Sequence, residues 1–75
     1  EVYFLCLLHN VGATSSDRSL TLEEISKWTT TDLEKVRENL EKLIRNDYVS
    51  MRFDRGAARY HVTINGIRKV LTMYS

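Results

Sequence analysis

TDLEKVRENLEKLIRNDYV, residues 31–49, carries the clearest structural instruction in the chain. Leu33, Val36, Leu40, Leu43 and Ile44 recur at spacings of three and four, which lays one apolar stripe along a helix whose opposite face is charged. Thr31 with Glu34 predicts a capping box, in which the hydroxyl and the carboxylate each accept from a backbone amide of the first turn. Asn46 and Asp47 tolerate the left-handed conformation that ends helices, and Tyr48 and Val49 change to strand chemistry. The spacing therefore predicts a helix over 32–46 that runs almost directly into a strand.

Upstream, Thr21 and Glu24 predict a second capping box, Leu20 can staple onto Ile25, and Leu22, Ile25 and Trp28 share a face of a helix over 22–28. Thr29, Thr30 and Thr31 interrupt it, because β-branched hydroxyl residues are poor inside a helix and good at its entrance. The opening EVYFLCLLHNV is apolar nearly all round, and reads as a helix over 1–11 buried on more than one side or as a short core strand. Gly12 is a helix stop and residues 13–19 read as a loop. The chain starts without Met and directly in apolar sequence, as a trimmed fragment with an N-terminal extension would.

Downstream, Val49, Met51 and Phe53 alternate with polar residues, as do Tyr60 and Val62, around a turn holding Asp54, Arg55 and Gly56. This predicts a hairpin over 48–63 with one apolar face, and with Arg52, Arg55, Arg59 and His61 on its other face and tip. Thr63 can cap a last helix over 64–74, where Ile64, Ile67, Val70, Leu71 and Tyr74 sit at helical spacing. The expected class is mostly α with a small β-hairpin, in the order α-α-α-β-β-α, as one domain over residues 1–75.

Composition narrows the function. At 75 residues and 43% apolar content, the chain has one small core and is expected to share surface with a partner. Net charge is only +1, but residues 1–47 hold six bases and nine acids while residues 48–75 hold five bases and one acid. The single cysteine, Cys6, excludes an internal disulfide and fits a reducing cytoplasm. The longest apolar run, residues 2–8, is far below the roughly 18 residues of a membrane span. Cys6 and His9 are three apart on a helix, yet a closed metal site wants about four ligands, so they read as a buried thiol and a helix-end imidazole. No Gly-rich phosphate loop, nucleophile elbow or carboxylate pair is present, so neither an enzyme nor a cofactor is expected.

The succession of helices, tight turn and hairpin resembles the winged helix-turn-helix family, especially the MarR-like and PadR-like regulators of bacteria and archaea. The resemblance covers residues 20–72. It rests on Ile25-Ser26, Val36, Leu40, Leu43 and Tyr48-Val49 at the family's core spacing, and on Tyr60-His61-Val62-Thr63-Ile64-Asn65-Gly66 as its strand-to-helix passage. It implies that the helix from Thr31 enters the major groove of DNA and that the hairpin, the wing, lies on the backbone or minor groove. By position, Thr30, Thr31, Lys35, Arg37 and Asn39 are then the base-facing candidates and Arg52, Arg55 and Arg59 the wing candidates. One departure stands out: Glu34 and Glu38 sit on the surface that would meet a polyanion. Glu38 with Lys42 and Glu41 with Arg45 are also spaced as helix-stabilising ion pairs. The expectation is a DNA-binding transcriptional regulator that dimerises through its first and last helices. The rival is a winged helix used for protein association within a larger complex.

Overall fold

Three residues of the central stripe, Val36, Leu40 and Leu43, are fully withdrawn from solvent, and the rest of the chain is built round them. The computed structural model describes residues 2–73. Its helices are α1 (Val2–Asn10), α2 (Leu22–Thr29), α3 (Leu33–Arg45) and α4 (Ile64–Met73). Its strands are β1 (Leu20–Thr21), β2 (Val49–Asp54) and β3 (Ala57–Val62), and a 3-10 turn spans Ser16–Arg18. Residue 1 and Tyr74, read from the sequence as parts of the end helices, lie outside the described residues. No described helix is long and apolar enough to cross a membrane.

α1 contributes Phe4, Leu5 and Leu8 to the core, α2 Ile25, β2 Val49, β3 Val62 and α4 Val70. The apolar stripes are narrower than their sequence spacing implies. Leu33 and Ile44 remain about two-fifths exposed at the margins of α3, and Ile64 and Leu71 of α4 are exposed outright. The hairpin is likewise apolar beyond the core, since Met51 and Phe53 of β2 are exposed.

The hairpin belongs to a three-stranded antiparallel sheet in the order β1-β3-β2, with Leu20 opposite Tyr60 and Thr21 opposite Arg59. β1 was not expected. Two residues are too short to show alternation, and pairing with β3 alone makes them a strand. The same edge is fixed by the loop above it, where the Val62 amide donates to the buried Ala13 carbonyl at 2.7 Å.

The capping expectations divide. Thr21 and Glu24 form their reciprocal box, at 3.2 and 2.9 Å. Thr31 and Glu34 do not: the N-cap of α3 is Asp32 with no side-chain cap bond, and the Thr31 hydroxyl donates instead to the Thr29 carbonyl. The turn between α2 and α3 is the cause. Thr30 is left-handed (φ 49°), so the chain reverses at once, and the Thr31 amide is tied to the Ser26 carbonyl at 3.1 Å. Thr31 is held by the end of α2 before it can serve α3. Nor do the Glu38 and Glu41 pairs close, the ion pair within α3 being Glu34 with Arg37 at 3.6 Å.

α4 is attached where α3 ends. Asp47 is left-handed (φ 63°), its carbonyl accepts from the Thr63 hydroxyl at 2.7 Å and its carboxylate accepts from Asn65. Thr63 Oγ1 in turn accepts from the Gly66 amide at 3.0 Å, so it caps α4 as expected and clamps the helix to the α3–β2 corner. α1 and α4 pack together, with Cys6 Sγ 4.0 Å from Met73 Sδ.

Candidate nucleic-acid interface

The turn and the first half of α3 carry five of the eight candidate residues. Thr30 is exposed and its hydroxyl donates to the Thr29 carbonyl at 2.7 Å, as the Thr31 hydroxyl does at 3.1 Å. Each oxygen keeps lone pairs with which to accept, but its proton is engaged, and Thr31 is half-buried. Lys35 is exposed. Asn39 is half-buried and donates to the Lys35 carbonyl at 2.8 Å, which fixes its amide against the helix backbone.

Arg37 lies elsewhere. Two residues along a helix turn it through roughly 200°, so Lys35 and Arg37 occupy opposite flanks. The ridge between them holds Glu34, Glu38, Glu41, Lys42 and Arg45. Arg37 looks toward the wing, where it lines a cleft of about 400 Å³ with Leu22, Ala58 and Tyr60. Its contact with Glu34 joins two exposed side chains and contributes little stability.

On the wing, the β2–β3 register sets Arg52 directly opposite Arg59 on one face, and Met51 opposite Tyr60 and Phe53 opposite Ala58 on the other. Two like charges placed so repel each other. Neutral acceptors on the 16–19 segment hold them apart: Arg52 donates to the Ser16 hydroxyl, and Arg59 to the Ser19 carbonyl at 2.8 Å and its hydroxyl at 3.3 Å. Glu24 approaches Arg59 at 3.8 Å. Arg55 sits in the two-residue turn with φ 55°, followed by Gly56 at 79°, the positive pair that suits a tight hairpin. An arginine kept where Asn or Gly would be more comfortable is exposed at the tip.

The eight residues thus do not form one patch. Thr30, Thr31, Lys35 and Asn39 belong to the turn and α3, Arg37 bridges toward the Tyr60 face of the wing, Arg55 is the tip, and Arg52 and Arg59 occupy the far face. Sequence reading also passed over Arg18, Ser16 and Ser19, in a loop without periodicity. Trp28, which the spacing sets on a face with Leu22 and Ile25 as a core or interface residue, is 63% exposed.

A tight α2–α3 turn, an exposed third helix and a projecting hairpin define a winged helix-turn-helix. Compared with solved structures, the chain is similar to the solution structure of the DNA-binding TubR fragment from Clostridium botulinum, at TM-score 0.81 and 21% identity, over 97% of this chain and 93% of that one. The sequence matches no protein-family model and no curated protein. The expected winged-helix fold is present, and the comparisons do not extend it to the MarR-like or PadR-like regulators in particular.

Proposed function

We propose that this chain is a double-stranded DNA-binding module of a small transcriptional regulator. The observation that carries the reading is an α3 exposed beside a projecting arginine-bearing wing, in a fold shared along nearly its whole length with the DNA-binding TubR fragment. In this reading α3 lies in the major groove. Thr30, Thr31, Lys35 and Asn39 face bases and nearby phosphates, Arg37 reaches from the wing side, and Arg52, Arg55 and Arg59 meet the backbone or minor groove. The balanced charge of α3 assigns most of the electrostatic attraction to the wing.

The module acts as a homodimer through α1 and α4. Tyr3, Leu71 and Met73 are more than half exposed on those helices. Two-fold pairing there would present two α3 helices to successive major grooves, about 34 Å apart.

One observation favours a second reading, a winged helix that docks protein. The α3 ridge mixes acids and bases and is edged by partly exposed Leu33 and Ile44, as a protein-binding face would be. A mobility-shift titration with random duplex over a salt series separates the two. DNA binding gives a log–log slope of several units that falls by about 0.9 for each phosphate contact removed. A flat salt dependence with no duplex shift at low salt would leave protein docking as the function.

A further inference from the structure

The face of the sheet turned away from α3 joins the wing arginines to two residues, Arg18 and Trp28, that the proposed duplex interface does not use. Two shallow grooves meet there, one of about 510 Å³ beneath the wing and one of about 400 Å³ running to α2, and they share Asp17, Ser19 and Arg59. Arg52 and Arg55 line the first, Arg18 and Trp28 the second. Four arginines against two aspartates, Asp17 and Asp54, make the combined track positive. One end is a charged hairpin tip and the other an aromatic plate.

We propose that this track binds single-stranded nucleic acid, with an unpaired base stacked on Trp28 and the adjoining phosphates on Arg18, Arg59, Arg52 and Arg55. Trp28 is the single tryptophan and is 63% exposed, although α2 buries Ile25 completely three residues earlier. An indole left open beside guanidinium groups suits a ligand that alternates flat rings with negative charges. Arg52 and Arg59 are already held in place by Ser16 and Ser19, so little side-chain freedom is lost on binding. The Ser16 acceptor of Arg52 is uncharged, which leaves that guanidinium charge available to phosphate. Among the described residues of the track only Arg59 closes an ion pair, with Glu24 at 3.8 Å, while Asp17 and Asp54 line the grooves without pairing to Arg18, Arg52 or Arg55.

The ligand must be unpaired, because a duplex covers the faces of its bases. A mononucleotide could stack on Trp28 but would leave the Arg52–Arg55 end of the track empty, so a strand should bind far more tightly. The proposal stands apart from α3: neither Arg18 nor Trp28 belongs to the proposed duplex interface.

Trp28 is its own reporter. Titration of intrinsic fluorescence with an oligothymidylate of about ten nucleotides, within the site sizes of strand-binding grooves, should give saturable quenching. A hairpin duplex, thymidine monophosphate and inorganic phosphate should quench at least about tenfold less effectively, the loss expected without one base stack or without the adjoining phosphates. Arg18→Ala keeps the fluorophore and touches no core residue; it should weaken the strand and lower the log–log salt slope by about 0.7. Trp28→Ala, followed by anisotropy of a labelled oligonucleotide, should lose on the order of tenfold in affinity while still shifting duplex. Absence of quenching by the strand, equal quenching by duplex or monophosphate, or an unchanged Arg18→Ala titration would overturn the assignment.

Discussion

Adding one methyl group at Gly66 tests the corner on which the wing and α4 are both mounted. A Cβ there would lie 2.6 Å from Val62 Cγ1 and closer still to the Tyr48 carbonyl oxygen. That oxygen cannot give way freely, because it accepts the Thr63 amide at 2.9 Å, and Val62 is a fully buried core residue. Helix propensity alone favours Gly66→Ala by about 0.8–1.0 kcal/mol, and overpacking against backbone opposes it by about 1–3 kcal/mol or more. The obstacle is backbone rather than a flexible side chain, so the steric cost takes the upper end and the net loss is about 2 kcal/mol. For a domain of this size that is a fall in Tm of roughly 8–16 °C. Thermal and urea unfolding followed by circular dichroism, at one protein concentration in case of dimerisation, would measure it. An unchanged or raised Tm would mean that propensity wins and that the α4–Tyr48 approach is not as close as described.

Thr63→Ala should cost about 1–2 kcal/mol by urea unfolding, since it removes both the α4 cap and the bond to the Asp47 carbonyl. Duplex affinity of the folded variant should hardly change. Thr30→Gly relieves a β-branched residue at φ 49° and should raise stability by about 1 kcal/mol while weakening duplex binding, a split that a simple turn residue would not show. Arg55→Asn keeps a residue tolerant of its left-handed turn position and removes the charge. Mobility shifts should then show a salt slope smaller by about 0.9 with stability unchanged or higher. Leu71→Glu, on the exposed side of α4, should convert dimer to monomer in sedimentation equilibrium at tens of micromolar without lowering Tm through core damage. A wild-type chain that is itself monomeric there would refute the α1–α4 dimer.

Much of this fold is written in local sequence, for physical reasons that particular residues display. The α3 stripe was legible because a helix buries one face at a fixed period, and Val36, Leu40 and Leu43 obey it. The Thr21–Glu24 box and the Thr63 cap were legible because capping acts over three residues and needs no tertiary partner. The motif ending in Gly66 could be recognised, but its reason lies in the approach of Tyr48 from eighteen positions earlier.

What tertiary structure alone decided is where each group points. Thr31 has the chemistry of an N-cap, yet the reversal at Thr30 commits it to α2. β1 exists only because β3 lies beside it. Wing arginines alternate along a strand, so sequence assigns Arg52 and Arg59 to one face, but only the position of the 16–19 segment shows that this face meets Ser16 and Ser19 rather than α3. By spacing Trp28 shares a face with Leu22 and Ile25. The buried strip of α2 runs through Leu22, Ile25 and Thr29, on the side of Ile25 away from Trp28, which leaves the indole beside Arg18 in solvent.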